Sequence, residues 1–269
     1  MIYEEGYTSS WRLCAVDGLS WEDGADLGHV VSASVTHSID ADAPSVDSAN
    51  AELSASAPAV GTYVRLWMDA RASGELVRVP IVTGRVTPST AERMGALRLK
   101  SDVSIESVLA SAEEAEVDEG WYAPVGADGA VMAASLLRKV VDAPVSIAAG
   151  ARPVLPENVV AGSDNVLTIA WALLGDTWEI VTTGRGEVVL RPRATSPTAT
   201  VTDAMLCTKL TEGTEDDGTV KLDYTREWSD EIGAGTGVRI AGDGGLWRVV
   251  SQRVNCGRGA TVDETVRSV

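Results

Sequence analysis

The sequence predicts an α+β protein, mainly antiparallel β, with a small α+β unit set between its β parts. Three observations carry that class. Apolar and polar residues alternate with period two through the first hundred positions, helical spacing takes over in the middle third, and alternation returns after residue 219. Successive strand side chains point to opposite faces, so strict alternation marks a half-buried strand, whereas spacing near 3.6 marks an amphipathic helix. The expected division is residues 1–100, an N-terminal β region; 101–200, an inserted α+β region; and 201–269, a C-terminal β region that packs with or resembles the first. At roughly 150 residues per domain, 269 residues suit about two folding units.

From the N-terminus, His29–Ile39 puts Val31, Ala33, Val35, His37 and Ile39 on one face and Val30, Ser32, Ser34, Thr36 and Ser38 on the other. Ala49–Ala57 repeats the pattern, and the polar DADAPSVDS between them, with Pro44, is a loop. Strands follow at Thr62–Asp69 and Glu75–Val86, joined by a hairpin loop over Ala70–Gly74, and Leu97 and Leu99 mark a short strand. Ser104–Ala115 reads as a helix with Ser104 as N-cap, and Gly129–Val141 as a second, capped by Asp128 and ended by Pro144. Asp164–Leu174 is a third, with Ser163 before it and Gly175 behind, presenting Leu167, Ala170, Trp171 and Leu174 on one face. A hairpin then pairs Trp178–Thr182 with Glu187–Arg191 around a turn at Thr183–Gly186. Strands are expected at Thr219–Thr225, Gly237–Ala241, Leu246–Val254 and Thr261–Val269, with turns at Asp243–Gly245 and Cys256–Ala260. No repeat of fixed period stands out.

Charge excludes several functions. The formal net charge is −17, from 39 acids against 22 bases. A nucleic-acid binder needs a basic footprint to neutralise phosphates, and an anionic membrane surface repels this chain for the same Coulombic reason. No apolar run approaches the 18 or so residues of a spanning helix. MIYEEGYTSSW has neither the positive start nor the apolar stretch of a secretory signal, so synthesis in a cytoplasm is expected.

Chemistry-bearing constellations are sparse. His29 and His37, the two histidines, share one predicted strand face but stand about 26 Å apart at about 3.3 Å per residue, too far to share a metal ion. No G-x-S-x-G elbow accompanies them. Acidic clusters at Glu113, Glu114, Glu116, Asp118 and Glu119, and at Glu212, Glu215, Asp216 and Asp217, read as solvated segments rather than a glycosidase pair. Asp216-Asp217-Gly218 is too short for a calcium loop and reads as a turn. The glycines of GAGTG, Gly233, Gly235 and Gly237, lack the lysine of a phosphate loop and read as a flexible β connection. Cys14, Cys207 and Cys256 form no C-x-x-C pair and read as ordinary thiols. The eight tryptophans are scattered, which suits core and interface anchors better than a sugar platform. No residue is assigned a catalytic, cofactor-binding or metal-binding role, and no cofactor is expected.

Three segments together carry a resemblance. SSWRLCAVDGLSWEDGADLGHVVSASVTHSIDADAPSVDSANAEL resembles the N-terminal β region of tail proteins of long-tailed phages and prophages. NVLTIAWALLGDTWEIVTTGRGEVVLRPR is similar to a module of tail hub proteins in which a helix leads to a Trp-bearing strand, a turn, and a strand ending in R-P. YTREWSDEIGAGTGVRI, followed by GGLWRVVSQRVNCGRGATVDETVRSV, resembles their C-terminal barrel. The resemblance implies tail-tube-like β-barrel domains with smaller domains attached, and a structural hub of the tail tip or baseplate, not an enzyme. It implies a homotrimeric ring around the DNA channel, with tail tube, distal-tail and tape-measure proteins as neighbours, part of a virion assembled in the host cytoplasm. The genome would pass through the lumen without specific binding, and no membrane is involved; the excess negative charge either lines that channel in part or serves solubility alone. The alternatives are another tail ring component, such as a distal-tail or adaptor protein, or a tail-associated carbohydrate-binding or cell-wall hydrolase module.

Overall fold

A computed structural model describes residues 8–39, 46–72, 75–88, 91–94, 98–215, 218–257 and 259–269. The first third forms β1 (Thr8–Val16), β2 (Asp23–Ser38), β3 (Val46–Leu53), β4 (Tyr63–Ala72), β5 (Glu75–Thr87), β6 (Ala91–Met94) and β7 (Arg98–Ser107). All their pairings are antiparallel, and six of these strands close a circuit: β1 to β4, β5, β7, β3, β2 and back to β1. Where the strands pair around the circuit, closure removes the unpaired N–H and C=O groups that would invite aggregation, while Glu75–Thr83 of β5 pairs with β4 alone. Its interior is apolar: Leu13, Val30, Leu53, Leu66, Met68 and Val103 are each no more than 1% exposed.

Several expectations fail here. Ser104 is not a helix cap, because it lies inside β7; the helix behind it, α1, spans only Ala110–Glu114. Ser101, Val103, Ile105 and Ser107 are buried in alternation, and Asp102, Ser104 and Glu106 face out. Pairing with β3 settles the ambiguity of that short apolar run. The strand expected to reach Ala57 ends at Leu53. The loop expected over 40–48 gives way to β3 from Val46, and the hairpin loop expected over Ala70–Gly74 to β4 as far as Ala72; residues 40–45, Ser73 and Gly74 lie outside the described residues, as do Leu97, Asp216 and Asp217.

The middle third contains β8 (Tyr122–Ala123), α2 (Gly129–Val140), β9 (Val145–Ile147), β10 (Val159–Val160), α3 (Val166–Leu174), β11 (Trp178–Thr182) and β12 (Val188–Pro192). The Asp128 carboxylate accepts the Val131 N–H at 3.1 Å, the N-cap read from the sequence. On α3 the cap is Asn165, which accepts the Thr168 N–H at 2.8 Å; neither Ser163 nor Asp164 serves. Helices α2 and α3 pack Ala133, Ala134, Leu137, Leu167, Ala170 and Leu174 against Trp178, Ile180 and Leu190 of the β11–β12 hairpin.

The last third supplies β13 (Ala199–Val201), β14 (Thr211–Thr214), β15 (Val220–Glu227), β16 (Gly237–Ile240), β17 (Trp247–Cys256) and β18 (Thr261–Ser268). Cys256, expected in a turn, is the last residue of β17 and opposes Ala33. That pairing joins the two ends of the chain. β2 uses one edge twice, holding β1 along Asp23–Val30 and β17 along Ala33–Ser38. The sheet therefore runs on from β2 through β17, β18 and β15 to β14.

The middle unit plugs onto the closed sheet through the Thr183–Gly186 turn. Arg65, fully buried, donates to the Arg185 carbonyl at 3.0 Å, the Trp21 carbonyl at 3.2 Å, the Thr83 hydroxyl at 2.9 Å and Asp23 at 2.6 Å. The Trp21 indole also donates to the Arg185 carbonyl, at 2.8 Å. Gly184 makes the contact possible, since a Cβ there would stand 2.1 Å from the Pro80 carbonyl oxygen. Gly184→Ala is expected to cost about 1–3 kcal/mol through this forced displacement. A urea titration checks it, and a midpoint equal to that of the wild type would contradict the close approach.

Candidate functional site

The distinctive surface is the outer face of the long sheet. Cross-strand register aligns its residues in rungs. One runs Glu106–Ser48–Thr36–Arg253–Asp263–Thr225, across β7, β3, β2, β17, β18 and β15. A second runs Ser104–Asn50–Ser34–Asn255–Thr261–Glu227. Shorter rungs flank them: Asp102–Glu52–Ser32 on one side and Ser38–Ser251–Thr265–Asp223–Thr211 on the other. Directly opposed residues share a face, so these side chains form one surface. None of them is apolar and none is buried.

Short hydrogen bonds tie the surface together. The Ser104 hydroxyl donates to Asn50 at 2.9 Å, Arg253 to the Ser34 hydroxyl at 2.9 Å, Asn255 to Asp263 at 2.9 Å, and the Thr265 hydroxyl to Asp223 at 2.6 Å. Carboxylates outnumber cations in the rungs: Glu52, Asp102, Glu106, Asp223, Glu227 and Asp263 stand against Arg253. Lys100 and Arg85 pair with Glu52 and Glu106 from beside them. The result is a broad, small-side-chain, net acidic wall.

Behind the wall lies a buried ionic network. Glu264 and Arg226 have fully buried side chains and meet in a two-pronged pair at 2.9 Å and 2.9 Å. The Tyr224 hydroxyl and the Gln252 amide donate to the same carboxylate, and Arg226 also donates to the Ile232 carbonyl at 3.1 Å. Burial first, then the charge of Glu264, pushes the Tyr224 phenol far above its ordinary value, so it stays a donor. A second buried carboxylate, Glu179 on β11, takes Arg191 at 2.7 Å and Arg248 of β17.

A cavity of about 410 Å³ opens where the closed sheet, the β11–β12 hairpin and the 228–236 loop meet. His37 Nδ1 lies 2.9 Å from Asp47, whose other oxygen accepts from the Thr182 hydroxyl. The carboxylate is the middle member of this chain. A nucleophilic relay needs the imidazole in the middle, so the geometry does not activate Thr182. Sequence spacing placed His29 and His37 on one face. The register shift between Val30 and Ser32 breaks that parity, leaving His29 exposed and His37 half-buried inside with Val35.

The remaining candidates disperse. Glu113, Glu114, Glu116, Asp118 and Glu119 are exposed around and after α1, and Glu212 and Glu215 lie on and beside β14. Among the described residues no cluster suits a metal ion. The GAGTG segment is packed, not loose. Gly235, at φ +79°, sits where a Cβ would come within 2.6 Å of the Arg191 guanidinium and 2.7 Å of Glu179, and Arg191 donates to the Ala234 carbonyl at 3.1 Å. Six tryptophans are buried and Trp121 and Trp171 are half-buried, which leaves no pair of exposed rings to stack on a sugar.

The thiols also separate. Burial pushes Cys256 up to about 12 and raises Cys14, with Asp26 and Asp23 adding to the latter. Cys207 is exposed, its thiol raised by partial burial and then by Glu227. At neutral pH an aromatic disulfide reagent is expected to titrate one thiol in the native chain and three in denaturant. Two fast native thiols would contradict the burial of Cys14 and Cys256.

No family model matches the sequence, and no curated protein matches it. Solved structures do. The tail protein from Neisseria meningitidis MC58 aligns at TM-score 0.68 and 11% identity, over 97% of this chain and 96% of that one. The 43 kDa tail protein of prophage MuSo2 from Shewanella oneidensis aligns at 0.66 and 9%, over 96% and 98%. The E. coli c3393 protein, a type VI secretion component described as similar to the T4 tail proteins gp27 and gp5, aligns at 0.60 and 11%, over 88% and 73%. This chain thus has the fold of phage tail proteins, and it is mainly antiparallel β with few helices.

Proposed function

We propose that this chain is a structural hub of a phage tail tip or baseplate, built as a homotrimeric ring around the DNA channel. In this reading the N-terminal β region, expected over residues 1–100 and carried by the closed six-stranded sheet as far as Ser107, and the C-terminal strands of 201–269 act as two tube-building units, with the rest of 101–200 inserted between them. Tail tube, distal-tail and tape-measure proteins are its neighbours in the virion, which is assembled in the host cytoplasm. Its task is mechanical, with no catalytic step and no cofactor.

The observation that carries the reading is the polar wall. An antiparallel sheet commonly packs one face on the core and gives the other to water; what suits this face to a channel wall is its width and its excess of carboxylates. Here only the inner face is apolar, and the outer one is hydroxyls, amides and carboxylates. DNA carries one negative charge per roughly 1.7 Å of axis, so a net acidic wall repels phosphates and the duplex slides without sticking. Ring closure by identical copies is the ordinary route to such a tube. The shared fold with tail proteins supports the same reading.

Native mass spectrometry combined with electron microscopy of the purified chain tests it. The expected particle has three times the 28.1 kDa chain mass and a central hole walled by the Ser34–Asn50–Asn255 face. A single-chain mass at every concentration, or a ring with this face on its outside, refutes the hub.

A further inference from the structure

Five large apolar side chains standing in solvent fall in one stretch of the middle unit: Tyr122, Val125, Val131, Val154 and Val160, between 48% and 67% exposed. Backbone pairing gathers them. Tyr122 opposes Val160 across β8 and β10, the Val125 N–H donates to Asn158, and Asp128 bridges Val154 while capping the N–H of Val131. Residues 122–128 and 154–160 therefore run antiparallel as a ribbon. Its inner side sends Ala123 and Leu155 into the core, and its outer side carries Tyr122, Val154 and Val160, with Val125 at the turn and Val131 at the start of α2 beside it. An exposed apolar surface of this kind marks a contact site.

The rim says what covers it. Glu116, Asp118, Glu119 and Asp164 are exposed in the segments entering and leaving the ribbon and Glu157 within it, with Lys139 paired to Asp118 at 3.2 Å. The chain folds them close: the Ala161 N–H donates to the Trp121 carbonyl, and Glu116 bridges Asn165. We propose that this ribbon docks a different protein, through a segment with apolar side chains flanked by Lys or Arg. A second copy of this chain would set two acidic rims against each other, and like charges across an interface cost several kcal/mol. Anionic lipid and nucleic acid are repelled by the same rim.

The test uses a fluorescent amphipathic peptide of Leu and Lys and its Leu and Glu counterpart, read by anisotropy on the full chain. The Leu/Lys peptide is expected to bind, and to bind at least about tenfold more weakly to both Tyr122→Ser/Val160→Thr and Glu116→Gln/Glu119→Gln. The Leu/Glu peptide is expected not to bind. Equal binding of Leu/Lys by wild type and the apolar variant overturns the proposal, because it shows attraction to net charge alone. A drop in native mass in the Tyr122→Ser/Val160→Thr variant overturns it in favour of a second copy. These substitutions lie on exposed positions, and circular dichroism verifies the fold. The proposal does not rest on the hub: a monomeric wild type refutes the ring and leaves the peptide arms readable.

Discussion

Glu264→Ala is expected to lower stability by about 3–5 kcal/mol, the cost of leaving a buried charge without its partner. Arg226 has no exposed side-chain surface, and its other partners are the Glu227 and Ile232 carbonyls, which do not neutralise it. Tyr224 loses its acceptor in the same step, adding a desolvation cost of about 1–3 kcal/mol where no water replaces it, while Gln252 keeps its second bond to the Ile232 carbonyl at 2.8 Å. Chemical denaturation reads the loss as a lower midpoint. Replacing both ions in Arg226→Met/Glu264→Leu is expected to recover part of it, and adding Tyr224→Phe to recover more. A single Glu264→Ala variant as stable as wild type would show that water reaches the site.

Glu179→Ala is expected to be nearly as costly, also about 3–5 kcal/mol, but for a different structural reason. Glu179 lies on β11 of the middle unit, and Arg248 lies on β17 of the long sheet. Their contact ties the two together beneath the GAGTG segment. Arg191 is about one-third exposed and can turn to water when Glu179 is removed, whereas Arg248 cannot. Amide hydrogen exchange should therefore quicken in β11 and around Gly235 before it changes in the closed sheet. Uniform acceleration across all strands would contradict a local tie. Glu179→Gln, which keeps an acceptor and drops the charge, is expected to fall between wild type and Ala.

Both predictions concern residues that the sequence reading passed over. Glu179, Arg226 and Glu264 sit in alternating strands where a charged residue ordinarily faces water. For Arg226 the periodicity held a signal, since it follows Leu222 and Tyr224 on the apolar face of β15; Glu179 shares a face with Val181, opposite Trp178 and Ile180, and alternation gave no sign that both faces of β11 are buried. Alternation alone thus places Arg226 inside, with a buried partner still to be found. The partner is set by register, which brings Glu264 opposite Tyr224, and register is a tertiary outcome.

The wall was half legible in the same way. Ser32, Ser34, Thr36 and Ser38 read as one polar face, as did Asn50, Glu52 and Ser54, though Ser54 lies beyond the end of β3. What no local pattern contained was that β2 carries β1 and β17 on a single edge, making separate polar strips into a continuous surface. That junction joins residues more than two hundred positions apart, and loop-closure entropy and packing, not nearest neighbours, govern whether it forms. Ser104 makes the converse case: the alternating residues from Ser101 to Ser107 and a plausible cap suited either a helix or a strand, and the available partner β3 decided.

Strand alternation, helix caps such as Asp128, the excess of carboxylates and the class of fold were all written in the linear order of residues, because each depends on side chains a few positions apart. The closure of six strands into a circuit, the pairing of Glu179 with Arg248 and the parity of the two histidines depended on contacts across the chain. Local preferences leave such contacts nearly degenerate in energy, and dense packing of the folded interior selects one of them.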